Sequence, residues 1–375
     1  MNIAIISHNL AQFRGGSKVA LMLGKELVKL KHNVAYVCVY EDIRALNKKF
    51  GTEHEYRVYS SKRRFLSNKI INFSMVWNIF FPFKKMHSEF KPDVVIEIGG
   101  VMTSLIQPVF MGMPTIYYCY CPNSRFAEVN LYPTTKLERA YLRSLAFIEK
   151  ILIKKVDKVI SQCSKTKEYL NEDWEIKAEN AYPPVDTSIF KPSSRKKDII
   201  LSVCKYEPLY NLEELIKIFW KLRGKDYELH FVAQIDGPNP YLEKLIDLSK
   251  DDKRIHFHKN LPVDDLKLLY ARAKVFWHST WSYYGLIIAE AQSAGVPAIS
   301  FGKDHGPGEI ILNGKTGYVV ESFKELYEKT ERLLSDKKLY SRMCKAAREN
   351  AVKRLSLKPF VDSFLHAISE VVRKE

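Results

Sequence analysis

Along the first half of the chain, short unbroken apolar runs alternate with stretches whose apolar positions recur every three or four residues. Asn2–Ser7, Asn33–Cys38, Asp93–Ile98, Thr115–Tyr120 and Lys158–Ser161 read as buried strands, and Gly15–Leu30 as an amphipathic helix. Unbroken runs suit strands covered on both faces, and alternation of strand and helix predicts a parallel sheet with helices on either side. Pro183–Pro184 and the polar stretch Phe190–Lys197 interrupt the pattern, and the second reads as a linker. The alternation then resumes, with strands at Ile199–Val203, Glu228–Val232, Arg254–His256, Lys274–Trp277 and Ala298–Ser300. Leu357–Val372 is a helical pattern after the strands are spent. The predicted class is α/β: two doubly wound, Rossmann-like parallel-sheet domains at 1–190 and 191–356, and a helical segment at 357–375.

Size agrees with two cores, since 375 residues exceed the roughly 250–300 over which one core grows. At 46% apolar and 27% charged, the composition is that of a globular protein. The cysteines Cys38, Cys119, Cys121, Cys163, Cys204 and Cys344 are scattered, and no second Cys or His pair has the spacing that would complete a zinc site. Buried thiols in a reducing cytoplasm, with no metal, are the expectation. His8 and Asn9 interrupt the first apolar run too early for a signal peptide. No stretch reaches the roughly 18 apolar residues of a membrane span. The net charge of +16 favours an anionic partner, whether nucleic acid, a phospholipid surface or a phosphate-rich ligand.

Four segments carry candidate chemistry. Phe13-Arg14-Gly15-Gly16-Ser17 follows the first strand and opens a helix. Paired glycines let the backbone approach a ligand, and a helix N-terminus offers free N–H groups and positive potential; a plain Gly-Gly turn is the alternative. Ser202-Val203-Cys204-Lys205-Tyr206-Glu207-Pro208-Leu209-Tyr210-Asn211 leads from a strand into a helix, putting Lys205 where a cation could hold phosphate or simply be solvated. In Thr280–Ala291, Gly285 can turn backbone amides toward a phosphate, and Glu290 is a lone carboxylate on an apolar, small-residue helix. Such a group needs a partner, either a ribose diol or an internal donor. Gly306–Tyr318 has Pro307 at a helix start and Asn313-Gly314 at its stop, and reads as structural.

Together the last three segments resemble glycosyltransferase family 4, the retaining GT-B enzymes. The specific part is their order over Ile199–Val320, above all Tyr284-Gly285-Leu286-x-x-x-Glu290-Ala291-x-x-x-Gly295-Val296-Pro297. Tyr118-Cys119-Tyr120-Cys121-Pro122 and Tyr182-Pro183-Pro184-Val185-Asp186 look like segments of mannosyltransferases that extend lipid-linked oligosaccharides. The resemblance implies two domains facing a cleft and a C-terminal helix that crosses back to the first domain. It implies a nucleotide-diphosphate sugar as substrate, GDP-mannose ahead of UDP-glucose, and no metal or other cofactor. Gly15, Gly16, Tyr210, Asn211, Tyr284, Gly285 and Leu286 would bind the donor, Lys205 would stabilise the leaving diphosphate, and Glu290 would take the ribose. This chain departs from the family where Tyr210 replaces a second cation, Ser282 the first of two glutamates, and Tyr120 a frequent histidine.

Arg57–Lys91 interleaves basic residues with aromatic and aliphatic ones. Arg63, Arg64, Trp77, Phe80, Phe81, Lys84 and Lys85 would suit an anionic bilayer surface; a core helix with a basic collar is the alternative. The whole reads as a cytoplasmic hexosyltransferase, peripheral on the inner membrane face, acting on a glycan or lipid-linked acceptor. The rival readings are a nucleotide-sugar-binding homologue with weakened catalysis and a basic nucleic-acid-binding protein. Against the last, no helix-turn-helix, zinc or RNA-binding signature is present.

Overall fold

The computed structural model describes residues 1–8, 10, 15–39, 57–61, 71–98, 102–128, 136–222, 226–280 and 284–373. They form two compact units, Met1–Pro183 with Leu357–Glu375, and Pro184–Ser356. The chain therefore leaves the first unit, builds the second, and returns for one helix. The polar stretch 191–197 lies wholly within the second unit. Phe190 before it is buried, packs edge-on against Tyr270, and lends its carbonyl to Ser293 and Arg348.

The first unit runs β1 (Asn2–Ile6), α1 (Gly15–Lys29), β2 (Asn33–Cys38), β3 (Arg57–Ser60), α2 (Ile71–Phe90), β4 (Val94–Glu97), α3 (Ile106–Phe110), β5 (Thr115–Cys119), α4 (Asn123–Glu128), α5 (Lys136–Ile153), β6 (Lys158–Ser161), α6 (Ser164–Trp174) and β7 (Glu179–Asn180). Its strands form one seven-stranded parallel sheet in the order β3-β2-β1-β4-β5-β6-β7. Ile3, Ile5, Tyr36, Ile96 and Tyr118 point to one face, where α1 supplies Val19, Leu23 and Leu27. The alternate residues Ala4, Ile6, Val37, Val95 and Tyr117 point to the other, against Ile79, Phe83 and Met86 of α2 and Leu152 of α5. Two-sided burial is why these strands read as unbroken apolar runs.

The second unit runs β8 (Ile199–Val203), α7 (Leu212–Lys221), β9 (Glu228–Ala233), α8 (Pro240–Ser249), β10 (Ile255–Lys259), α9 (Val263–Arg272), β11 (Val275–His278), α10 (Leu286–Ser293), β12 (Ala298–Ser300), α11 (Gly306–Ile310), β13 (Gly317–Val319), α12 (Phe323–Ser335) and α13 (Lys337–Arg354). Its six strands are parallel in the order β10-β9-β8-β11-β12-β13. The final helix, α14 (Leu357–Val372), buries Phe360, Phe364 and Ile368 in the core beside α1, completing the first unit.

β3, β7 and β13 are strands that the apolar pattern does not mark, and each closes an edge of its sheet. Within Arg57–Lys91, residues 71–90 form one helix that continues through Pro82, and α2 buries Ile79, Phe83 and Met86 while Phe81, Lys84 and Lys85 face outward. No helix among the described residues is long and apolar enough to cross a membrane.

Candidate functional site

In the second sheet, the chain moves outward from β8 to β9 and β10, then returns to β11 on the other side of β8. Such a reversal is the switch point where open α/β sheets bind ligands, outside the carboxyl ends of the strands. Lys205 stands two residues beyond β8, with its side chain 56% exposed and its ammonium 3.7 Å from Glu207. A single helical turn, Pro208–Tyr210, follows, and Asn211 (φ 46°, ψ 44°) enters α7 through the left-handed region. Tyr210 is half-buried against the core, and its carbonyl accepts a hydrogen bond from the Ser279 hydroxyl. That bond ties the loop after β8 to the loop after β11.

Beyond β11, Gly285 (φ 89°, ψ 56°) opens α10 in a conformation that a side chain would strain. The first turn of α10 carries no acidic residue, so nothing of that kind offsets the positive potential of its leading amides. Glu290 follows on the second turn and is 6% exposed. Its Oε2 accepts a 3.1 Å hydrogen bond from the Tyr270 hydroxyl, so the internal donor that such a carboxylate needs is present. Burial and the Glu290 charge push the Tyr270 phenol well above its usual range. Lys205, Tyr210, Asn211, Tyr284, Gly285, Leu286 and Glu290 thus all belong to the loops and helices that follow β8 and β11. Ser282 lies outside the described residues.

Gly306–Tyr318 backs this site with a buried amide network. Gln292 of α10 donates to the Ile310 carbonyl (3.3 Å) and Thr316 (3.1 Å), and accepts from Asn350 of α13 at 2.6 Å. Gly308 and Gly317 are forced by close approach: an added Cβ would lie 2.0 Å from the carbonyl oxygens of Lys303 and Ala298 respectively.

The first sheet has its own switch point between β1 and β4. Gly15 and Gly16 open α1 there. Among the described residues, a Cβ on Gly15 would meet nothing within 4 Å, whereas one on Gly16 would lie 3.3 Å from the Tyr120 hydroxyl. Tyr120, just beyond β5, is thereby placed against the start of α1. Its hydroxyl is buried without a hydrogen-bond partner among the described residues, and burial raises its pKa far above the usual value.

His8 is a residue that the sequence reading passes over as a mere interruption of an apolar run. It is 8% exposed, neither ring nitrogen has a hydrogen-bond partner among the described residues, and burial lowers its pKa to about 4. A polar residue at the carboxyl end of the first strand of a doubly wound sheet was the available signal. Tyr270 gave none, being twenty positions from the carboxylate it binds.

Of the residues expected at a membrane, Phe81 is 69% exposed, Lys84 and Lys85 are exposed, and Phe80 is half-buried. Arg63 and Arg64 lie outside the described residues, as does the side chain of Trp77.

Two family models match consecutive parts of the chain: Glycosyltransferase Family 4 over residues 13–189, and Glycosyl transferases group 1 over 185–350. With its two parallel-sheet units the protein has the GT-B fold, and the chain belongs to the family 4 glycosyltransferases. Among curated proteins it is 25% identical over 278 residues to the human "GDP-Man:Man(3)GlcNAc(2)-PP-Dol alpha-1,2-mannosyltransferase", a match covering 67% of this chain and 56% of that one. The matches span about half the length of the first such relatives. Among solved structures, sucrose-phosphate synthase from Thermosynechococcus elongatus superposes with a TM-score of 0.80 at 16% identity, covering 100% of both chains. Anabaena HepE, solved in complex with UDP and glucose, gives 0.74 at 14% identity, covering 99% of this chain and 100% of that one.

Proposed function

We propose that this chain is a retaining hexosyltransferase, moving mannose or glucose from a nucleotide-diphosphate sugar to a glycan or lipid-linked acceptor. The observation that carries the reading is the arrangement at the second sheet's switch point. A half-exposed cation follows one central strand, a glycine-opened helix follows its neighbour, and a buried carboxylate lies on that helix. The relatives' names support GDP-mannose as donor, and the UDP bound to a neighbour of the same fold keeps UDP-glucose as the second choice.

In this reading the amides at Gly285 and Leu286 and the Lys205 ammonium receive the diphosphate, and Glu290 accepts from the ribose hydroxyls. Stabilising charge on the leaving group is commonly the largest single catalytic contribution. The sugar reacts on one face, and the departing phosphate oxygen takes the acceptor's proton, so the protein need supply neither a carboxylate pair nor a metal.

A nucleotide-sugar-binding homologue with weakened turnover is the second reading, favoured by Tyr210. This residue is half-buried against the core at the position where the family carries a second cation. Thermal stabilisation by GDP, UDP and ADP and their sugar conjugates, on wild type and Glu290→Ala, followed by donor hydrolysis, separates the two. A nucleotide shift lost in the variant supports the donor site, and hydrolysis then supports transfer. A shift without turnover favours the second reading, and no shift at millimolar nucleotide rejects both.

The acceptor side of the proposal includes a peripheral membrane contact. Phe81, Lys84 and Lys85 stand on the outside of α2, and Phe147, Ile148, Ile151, Lys150 and Lys154 are exposed along α5 and just beyond it. Both helices pack on the same face of the first sheet. Apolar side chains among lysines suit an anionic bilayer. Flotation with anionic liposomes at low salt tests it, and absence of binding there rejects the contact.

A further inference from the structure

Cysteine spacing holds no zinc signature, but the register of the second sheet gathers a histidine set that linear spacing conceals. His230 on β9 pairs with His256 on β10. Glu228 and His258 lie two residues before and after this pair on their own strands, and all four therefore share one face of the sheet. It is the face opposite the core formed by Leu229, Phe231 and Ile255. The rings of His230 and His256 lie tilted by 36° with centroids 4.4 Å apart, and His230 Nε2 lies 3.1 Å from Glu228 Oε2.

One ligand atom each from Glu228, His230 and His256 lie within 4.8 Å of one another. Across a tetrahedral site with bonds of about 2.0–2.1 Å, ligand atoms are separated by roughly 3.4 Å. Glu228 and His256 are partly exposed, so small side-chain rotations can close that gap. His258 completes the set: its Nε2 lies 2.9 Å from His230 Nδ1. When an ion displaces the proton that His230 Nε2 donates to Glu228, Nδ1 carries a proton to donate to His258 and the Nε2 lone pair is free for the metal. This is the arrangement by which an outer partner orients a metal-ligating imidazole.

A second carboxylate–histidine group, Glu179, His366 and Glu370, lacks this character. The Lys158 ammonium donates to both of its carboxylates, at 2.6 and 2.5 Å, and already supplies their positive charge.

We propose that Glu228, His230 and His256 bind a divalent transition metal of the zinc type, with His258 orienting His230. A mixed imidazole–carboxylate set favours such ions over calcium or magnesium, which prefer all-oxygen ligands. Three protein ligands leave a fourth position for water. The bound ion bridges β9 to the edge strand β10.

The test is titration of the full chain, free of any polyhistidine tag and stripped with chelator, with Zn2+ by calorimetry. Co2+ is used in parallel for its visible absorption. Saturation at one equivalent is expected, with affinity falling at least tenfold in Glu228→Gln and His256→Gln, and about 10–100-fold in His258→Gln. Glu228 has a half-exposed side chain, so loss of binding in its amide variant does not reflect unfolding; circular dichroism checks the histidine variants. Titration of the wild type without saturation, or unchanged affinity in Glu228→Gln and His256→Gln, overturns the proposal.

Discussion

Tyr270 and Glu290 form a buried pair across α9 and α10, in which a phenol fully enclosed by protein donates to a carboxylate that is nearly so. Loss of the phenol removes one of the hydrogen bonds that offset the desolvation of this buried carboxylate. Tyr270→Phe is therefore expected to destabilise the second unit by about 1–3 kcal/mol, read by urea denaturation at neutral pH. If Glu290 also holds the ribose, nucleotide affinity falls as the carboxylate loses its orientation. A variant with wild-type stability would show that the pair is energetically idle.

Lys205 is half-exposed, and its 3.7 Å ion pair with Glu207 is of the surface kind that contributes little to stability. Lys205→Ala should leave the melting temperature nearly unchanged. If its ammonium stabilises the leaving diphosphate, kcat falls by about 10²–10³. Retained kcat would remove Lys205 from the chemistry.

The two neighbouring glycines separate fold from function. A methyl at Gly15 meets none of the described residues, whereas one at Gly16 presses on Tyr120. Gly15→Ala should keep stability to within about 0.5 kcal/mol, while kcat/KM falls if the opening of α1 must approach a ligand. Gly16→Ala should lower both.

Glu149 gives a pH signature confined to the first unit. It is 1% exposed and accepts from the Tyr117 hydroxyl at 3.0 Å and from the Asn123 backbone and side-chain N–H groups at 2.8 and 2.9 Å. Burial outweighs these bonds and pushes its pKa from 4.5 up to about 7. A carboxyl whose folded pKa is raised binds more protons folded than unfolded, so its contribution to stability falls as pH rises from about 4.5 to about 7. Relative to wild type, Glu149→Gln should gain on the order of 3 kcal/mol across that window. Chemical denaturation at pH 5 and pH 8 measures this, and a pH-independent difference rejects it.

Nine of the ten strands that the sequence displays are buried on both faces, as in Val94–Glu97 or Ile199–Val203, and the tenth, β10, is an edge strand with only Ile255 buried. Three edge strands were silent because none of them carries a continuous apolar run. Arg57–Ser60 is partly exposed throughout, Glu179–Asn180 is two polar residues long, and Gly317–Val319 is held by a glycine. Of the candidate site, the residues that follow β8 and β11 were legible because a cation or a glycine after a strand is a local pattern. What could not be read was every pairing set by the fold: Ser279 on the Tyr210 carbonyl, Tyr270 on Glu290, and His230 beside His256.

The helix Leu357–Val372 supplies Phe360, Val361, Phe364, Ala367, Ile368 and Val371 to the core that also holds β1 and α1. During synthesis, the unit that emerges first is consequently the one that closes last. Residues 184–356 can complete their sheet and core as soon as they leave the ribosome. The earlier half must wait, with one apolar face of its sheet covered by α1 but not yet by α14, until some 170 further residues have been added. That interval is its period of greatest exposure to aggregation and to chaperones.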